Sequence, residues 1–176
     1  MNHHPSTEKP KASTVTTIRP YRPEYRSAIL ELSLRAWRPV FPLMRRDVPP
    51  FVYDSFYPDG WEKRQKADLA AVLDGEPANV DVAVDNDQPI GWVCTRIHPD
   101  DDMGEIHVLA VDPDHQRRGV GSALMEHAYR RITDAGMRMV MVETGDDSGH
   151  TSARHAYEAD GFRRWPVARY FKDLGD

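Results

Sequence analysis

The sequence predicts a single α/β domain, and three observations support this class. Short apolar runs rich in β-branched residues alternate along the chain with longer segments whose apolar residues recur every three or four positions. The chain has 176 residues, which is enough to bury a core without disulfides and too few for two ordinary domains. The composition includes one cysteine, Cys94, which cannot form an internal disulfide. We expect residues 1–13 to be a disordered tail and residues 14–176 to form the domain.

The composition excludes several classes of function. Acidic residues outnumber basic ones by 28 to 23, and the resulting net charge of −5 repels nucleic acid. The longest strictly apolar run, Leu69–Leu73, is far too short to cross a bilayer, and the first ten residues lack the apolar region of a signal peptide. A lone cysteine is typical of a reducing compartment, and no Cys and His pattern indicates a metal site. We therefore expect a cytoplasmic protein that binds neither nucleic acid, membrane nor metal.

The N-terminal part predicts a strand, a helix and an irregular stretch. Val15–Arg19 is a β-rich run that Pro20 should stop. Pro23 suits the first turn of a helix, and apolar residues at helical spacing follow it. Prolines at positions 39, 42, 49 and 50 predict irregular structure over residues 38–51. The apolar face of the helix comprises Tyr25, Ile29, Leu32 and Ala36.

A second helix and a hairpin come next. Asp59 can cap the helix while Glu62 reaches back in a capping box, and the helix should run to Leu73. Two apolar runs, 80–84 and 90–97, flank a four-residue polar turn. They therefore predict an antiparallel hairpin.

The second half of the chain continues the alternation of strands and helices. An acidic turn is followed by a strand over residues 105–111. The next helix has one apolar stripe and ends at Gly136, a typical residue just beyond a helix C-terminus. The stripe comprises Val120, Leu124, Ala128, Ile132 and Ala135, and the later predicted elements are a strand over 139–144, a helix over 152–159 and a strand over 166–171.

A glycine-containing loop, Gln-Arg-Arg-Gly-Val-Gly at 116–121, precedes the long helix. Gly119 and Gly121 allow the backbone to approach a ligand, and the free N–H groups of a helix N-terminus attract an anion. The alternative interpretation is a tight strand-to-helix connection with arginines for solubility. A P-loop is excluded because no Gly-Lys-Ser/Thr follows, and a dinucleotide fingerprint is excluded because the third glycine is missing.

Two motifs in this order resemble the GCN5-related N-acetyltransferase (GNAT) family. The loop 116–121 is similar to the family's Q/R-x-x-G-x-G/A acetyl-CoA loop. The segment 153–162 is similar to its A-x-x-x-Y-x-x-x-G-F helix. The order of elements from Val15 to Phe171 agrees as well. The resemblance implies the GNAT fold, an α/β fold in which helices flank a mixed central sheet with two splayed parallel strands.

The resemblance also implies acetyl-CoA as the co-substrate, bound between the strands 105–111 and 139–144. The pantetheine arm would pair with residues 109–111, where a backbone N–H could stabilise the oxyanion. The pyrophosphate would bind the amides of residues 117–122. The implied cofactor-binding residues are Leu109, Ala110, Val111, Gln116, Arg117, Arg118, Gly119, Val120, Gly121 and Ser122.

Two residues receive catalytic roles from the resemblance. Tyr157 matches the family tyrosine that protonates the leaving thiolate, although a half-buried packing role is the alternative. Glu105, in Gly-Glu-Ile, resembles the glutamate base of the histone-acetylating branch, and an exposed strand-end glutamate is an equally open interpretation. His107 on the same face and a water chain are the other candidates for the base. His150 stands where many members have a cofactor-contacting asparagine, and its role stays open.

These features predict an acetyl-CoA-dependent N-acetyltransferase that acts on a primary amine of a small molecule. One alternative is a protein N-terminus or lysine as acceptor, and another is an acyl-CoA-binding module without turnover. The expected partners are acetyl-CoA and an amine acceptor, and a homodimer stays open. Five aromatic residues lie where this fold usually covers the acceptor, as a pocket wall or as ordinary core: Trp37, Phe41, Phe56, Tyr57 and Trp61.

Overall fold

A computed structural model describes residues 16–175. The predicted tail and Val15 lie outside the described residues. One five-stranded sheet has the order β1-β2-β3-β4-β5, with antiparallel pairing except between β4 and β5, which are parallel. The predicted mixed sheet is therefore confirmed. The strands are β1 (Thr17–Pro20), β2 (Val80–Asp85), β3 (Gln88–His98), β4 (Met103–Val111) and β5 (Met139–Val142).

Helices cover both faces of the sheet. Apolar residues of α1 and α4 bury one face around Trp92, whose indole N–H donates to the Ser33 hydroxyl at 2.8 Å. The predicted stripe of α5 packs on the other face as far as Ile132, whereas Ala135 lies beyond the end of the helix and is exposed. The helices are α1 (Arg26–Trp37), α2 (Val40–Asp47), α3 (Pro50–Phe56), α4 (Trp61–Gly75), α5 (Val120–Asp134) and α6 (Thr151–Ala159).

The β2–β3 hairpin confirms the predicted turn. Asn86 and Asp87 both have positive φ, 48° and 62°, as the two central residues of a tight hairpin turn require. The turn sets the register of β2 on β3, whereas the separate pairing of β3 with β4, joined through residues 99–102, places Arg96 opposite Glu105.

The strands β4 and β5 separate after four residue pairs. Their pairing runs from Met103↔Met139 to Ile106↔Val142, and β4 then continues to Val111 without a neighbour on that side among residues 16–175. On its other side, β4 carries one extra residue at His107, because Cys94 lies opposite Val108 and Thr95 lies opposite Ile106. The predicted splay of the parallel strands is therefore present, and a bulge lies beside it.

Three local predictions are wrong. Residues 38–51 are largely helical rather than irregular, because their prolines lie at the N-caps and first turns of α2 and α3, where no backbone N–H is needed. Asp59 does not cap α4. The cap is Gly60, with φ of 92°, and the Asp59 carboxylate accepts instead from Lys63 at 2.6 Å. The strand does not stop before Pro20, which is instead the last residue of β1. A proline is tolerated there because, at the end of an edge strand, it removes no ladder hydrogen bond that the sheet requires.

The predicted last strand, 166–171, does not form. Among the described residues, the segment after Phe162 makes no backbone hydrogen bond to the sheet, and its Trp165 and Tyr170 side chains are 85% and 89% exposed. The segment is instead held by side chains, with Arg164 contacting Asp146 and Phe171 packing on Phe56. Alternation of apolar residues predicted the strand, but a strand also requires a partner edge.

Candidate active site

The loop between β4 and α5 presents backbone N–H groups at a helix end. Gly119 is the N-cap of α5 with φ of 83°, and Arg117 has φ of 59°. No side chain caps this helix, so the first N–H groups remain available for an anion. A Cβ built on Gly119 would meet no described atom within 4 Å. The backbone conformation, rather than crowding, therefore requires glycine here.

Side chains from the opposite layer hold this loop in place. Arg35 of α1 contacts Asp112 at 3.1 Å and Asp114 at 2.6 Å. Asp112 also accepts from the backbone N–H of Asp114 at 2.8 Å, which closes a local turn. Gln116 donates to the carbonyl of Val111 at 3.2 Å, so this predicted ligand-binding side chain stabilises the loop. These contacts rigidify the entrance to α5.

The unpaired end of β4 leads directly into this loop. Ala110 and Val111 are buried and Leu109 is half-buried, so their side chains belong to the core. The backbone groups that face away from β3 have no strand partner within residues 16–175. A ligand with amide groups, such as a pantetheine arm, would fit these groups as an added strand.

Tyr157 lies on α6, next to the core cluster on the face of the sheet that α5 covers. Its ring centroid is 5.6 Å from that of Phe162, and both rings pack against the cluster that contains Ile106 and Val111. Burial raises the pKa of the Tyr157 phenol above its ordinary value, so the hydroxyl is protonated at neutral pH. The phenol can therefore donate a proton or a hydrogen bond.

Charged side chains from three segments meet at the start of β4, and we call them the charged network. Glu105 lies at its centre, with His98 Nε2 2.8 Å from one carboxylate oxygen and His107 Nδ1 2.9 Å from the other. Arg96 approaches His107 Nδ1 at 2.8 Å and contacts Glu76 at 2.5 Å. The charged network comprises Glu76, Arg96, His98, Glu105 and His107.

The electrostatics of the network favour ionised carboxylates. Burial would raise the pKa of Glu105, but hydrogen bonds with His107 and His98 outweigh it and hold the pKa below its ordinary value. Hydrogen bonds from Arg96 lower the pKa of Glu76 to about 2. The Glu105 side chain is 16% exposed, whereas those of His107 and His98 are 30% and 37% exposed. A molecule arriving from solvent therefore meets the imidazoles more readily than the carboxylate.

The structure brings the two predicted base candidates, Glu105 and His107, into contact, and it adds three residues that the sequence reasoning missed. Arg96 and His98 lie on one face of β3, two residues apart, and Arg96 is directly opposite Glu105. The signal that could have found them was the antiparallel pairing of β3 with β4 across the short acidic turn, which places side chains near the adjoining strand ends opposite each other. Glu76 follows α4, and no pattern in the sequence connects it to Arg96.

The other candidate residues make contacts within the fold. His150 Nδ1 lies 2.7 Å from the Asp147 carboxylate at the start of α6, in a loop that Arg154 ties to the helix. Cys94 is fully buried, and this burial raises the pKa of its thiol to about 12, as expected for a packed strand residue. Phe41 stacks on Trp61 with ring centroids 4.2 Å apart and is buried. One ring belongs to α2 and the other to α4, so their stacking joins these two helices.

None of the helices formed by residues 16–175 is long and apolar enough to cross a membrane. Within the same residues, no three His, Cys, Asp or Glu side chains are grouped to hold a metal ion.

Comparison with known proteins gives a family match. A model of the acetyltransferase (GNAT) family matches residues 37–162, which is well over half of the chain. The match contains β4, the glycine loop, α5 and the segment with Tyr157.

Curated relatives match shorter regions. The mycothiol acetyltransferase of Geodermatophilus obscurus is 35% identical over 97 residues, or 52% of this chain and 31% of the relative. The mycothiol acetyltransferase of Cellulomonas flavigena is 36% identical over 101 residues, or 52% of this chain and 28% of the relative. The chain thus spans about a third of the length of these relatives.

A solved structure supports the fold over most of the chain. The PaiA N-acetyltransferase of Thermoplasma acidophilum, solved in complex with coenzyme A, is 15% identical to this chain with a TM-score of 0.68. The alignment covers 88% of this chain and 93% of that one. At this identity, the likeness shows a shared fold.

Proposed function

Because the chain belongs to the acetyltransferase (GNAT) family, we propose that residues 14–176 form one N-acetyltransferase domain that transfers an acetyl group from acetyl-CoA to a primary amine of a small molecule. One observation carries the proposal: the unpaired end of β4 runs directly into an uncapped helix N-terminus, which together offer backbone groups for an amide-containing arm and a phosphate. A protonated phenol packs against the core beside β4, and a carboxylate–imidazole pair lies toward the other end of the same strand. The curated relatives are named for a small molecule, mycothiol, which favours this class of acceptor.

The cofactor role falls on the residues named from the sequence. Bound acetyl-CoA would supply the activated acetyl thioester. The backbone of Leu109, Ala110 and Val111 offers unpaired groups for its amide-containing arm, and a backbone N–H there can stabilise an oxyanion. The amides at the start of α5 offer a site for phosphate, and the exposed Arg117 and Arg118 add positive charge.

The chain's own residues also provide for the two proton transfers. An alkylammonium has an ordinary pKa near 10.4, so the acceptor must lose a proton before it attacks. We assign this proton to Glu105 and His107 together. The lowered pKa of Glu105 makes this carboxylate a weak base by itself, and His107 is hydrogen-bonded to it. Tyr157 would protonate the leaving thiolate, for which its raised pKa keeps a proton available.

The alternatives predict different properties. A binding module without turnover needs the glycine loop but has no use for a proton-accepting network or a protonated Tyr157. A protein or peptide acceptor differs from a small amine only in what is acetylated, so an activity assay with amines and peptides separates these two alternatives.

The single Cys94 further favours a reducing compartment such as the cytoplasm. Pairing of two chains, for which Trp165 and Tyr170 leave apolar surface exposed, would be measured by sedimentation.

The test is release of free thiol from acetyl-CoA in the presence of amine panels. We expect turnover with one or more small primary amines and little with peptides or lysine-containing proteins. Thermal unfolding supplies a separate measure, because a ligand that binds the folded state raises the melting temperature. Stabilisation by acetyl-CoA without turnover on any acceptor would support the binding module. Absence of both effects at millimolar acetyl-CoA would contradict the proposal.

A further inference from the structure

The Nδ1 atom of His107 has two neighbours that make opposite demands on it. Arg96 Nη1 lies 2.8 Å away and Glu105 Oε1 lies 2.9 Å away. A guanidinium can only donate a hydrogen bond, and a carboxylate can only accept one. The nitrogen therefore carries a proton and bonds Glu105, or carries a lone pair and bonds Arg96. It cannot do both at once.

The choice at Nδ1 decides what Nε2 can do. In a neutral imidazole, one nitrogen carries the proton and the other carries the lone pair. With the proton on Nδ1, the Nε2 atom of His107 has a lone pair and can accept a proton from an amine. With the proton on Nε2, the ring has no acceptor there. His107 can serve as the base only in the Nδ1–H form.

Glu76 controls how strongly Arg96 competes for Nδ1. Its carboxylate accepts from Arg96 Nε at 3.0 Å and from Nη2 at 2.5 Å, and Asn79 anchors it at 2.9 Å. These bonds balance the guanidinium charge and leave only Nη1 directed at His107. The other titratable neighbours of Arg96 balance its charge less than Glu76 does, because Glu105 is 3.9 Å away and the Cys94 thiol is protonated.

We propose that Glu76 and Arg96 are positioning residues that set the tautomer of His107. While Glu76 balances the charge of Arg96, the proton stays on Nδ1 facing Glu105 and the lone pair stays on Nε2. This inference rests on the proposed function for its catalytic meaning, because it names the residues that prepare the base. The tautomer itself can be measured without turnover.

The direct test is long-range ¹H–¹⁵N correlation spectroscopy on protein labelled at histidine nitrogens. The spectrum is taken at about pH 8, above the ordinary imidazole pKa near 6.5, and His107 is assigned by its absence in His107→Gln. We expect the Nδ1–H form in the wild-type protein. Glu76→Gln should shift the tautomer ratio toward Nε2–H by about tenfold or more, because the unbalanced Arg96 becomes the stronger partner of Nδ1.

Further variants show whether Glu76 acts through Arg96. Glu76→Gln with Arg96→Met should restore the Nδ1–H form, because the competing donor is gone. Arg96→Met alone should also keep this form if the double variant does not fold, and a shift toward Nε2–H in this variant would contradict the role of Arg96 as the competing donor. Asp74→Asn is the matched control. The Asp74 carboxylate lies near the end of α4, shortly before Glu76, and it pairs with Arg26, which is not part of the charged network. It should leave the ratio unchanged.

The outcomes separate this inference from the proposed function. A wild-type His107 with its proton on Nε2, or a Glu76→Gln variant with an unchanged ratio, would overturn the inference whatever the activity. A shifted ratio with no acetyl transfer to any amine would support the tautomer control and contradict the proposed function. If both hold, kcat should fall in Glu76→Gln and recover in the double variant.

Discussion

The glycine loop and the charged network lie at opposite ends of β4 and are built in different ways. The glycine loop, residues 116–121, offers backbone groups, and its residues are contiguous in the sequence. The charged network uses side chains from separate segments, and 20 residues separate Glu76 from Arg96. One region depends on φ angles at a few positions, and the other depends on individual side-chain atoms.

This difference determines how each region responds to substitution. Backbone N–H groups at a helix end are present whatever the side chains, provided that the turn can form. A network fails when a single donor becomes an acceptor, because each buried polar atom then lacks a suitable partner. We therefore expect conservative substitutions to be tolerated in the glycine loop and to affect turnover strongly in the network and at Tyr157.

The largest expected effect is at Tyr157. Tyr157→Phe keeps the ring that packs on Phe162 and removes the hydroxyl, so folding and acetyl-CoA binding should persist. Turnover should fall by roughly 10- to 10³-fold, as for the loss of a general acid, and mainly in kcat. Steady-state kinetics with a verified acceptor measures this. Full kcat in the variant would remove the acid role, and equal loss of folding and binding would make the hydroxyl structural.

The next largest effect is at Glu105. Glu105→Gln preserves size but replaces one accepting oxygen with a donating NH₂ group, so the side chain is uncharged and can no longer accept from both His98 and His107. We expect kcat/KM at neutral pH to fall by about 10²-fold and the acidic limb of the pH profile to change. Circular dichroism checks the fold. Near-normal rates would return Glu105 to the role of a strand-end glutamate.

The sequence predicted the glycine loop and missed most of the network for a physical reason. The loop and the Tyr157 helix are local patterns, in which residue spacing alone sets the geometry. The contact between Arg96 and Glu105 requires the register of β3 on β4, the contact of Arg96 with His107 involves a bulge residue of β4, and the contact with Glu76 requires the segment after α4 to reach β3. The failed strand at 166–171 has the same origin, because its formation depends on a partner edge far along the chain.

A moderate effect is expected at Gly119, where backbone geometry is limiting. A β-branched residue strongly disfavours the observed φ of 83°, although the space around Gly119 is open. Gly119→Val should weaken acetyl-CoA binding by about tenfold or more, since holding an L residue in this left-handed conformation costs about 1–2 kcal/mol. Calorimetric titration measures it. Gly75→Val is the control, because Gly75 has open space at a helix end and lies away from the loop. Equal affinities in the two variants would show that the phosphate site lies elsewhere.

The smallest effect concerns the stability of the charged network in acid. The pKa of Glu76 is lowered from 4.5 to about 2 by the hydrogen bonds from Arg96. A carboxyl group whose pKa is lower in the folded state stabilises the fold above the unfolded pKa, and this contribution is lost as the pH falls through the folded pKa. Glu76→Gln should therefore unfold more easily than the wild type at pH 7.

The difference should shrink between pH 4.5 and about 2, where the wild-type carboxyl group also becomes neutral. Because the Glu76 and Arg96 side chains are 22% and 32% exposed, we expect the difference at pH 7 to be only about 1 kcal/mol. Urea unfolding across this range measures it. Asp74→Asn, in the more exposed pair with Arg26, should show a smaller difference. A Glu76→Gln difference that stays constant down to pH 2 would mean that packing, rather than the ion pair with Arg96, accounts for the loss.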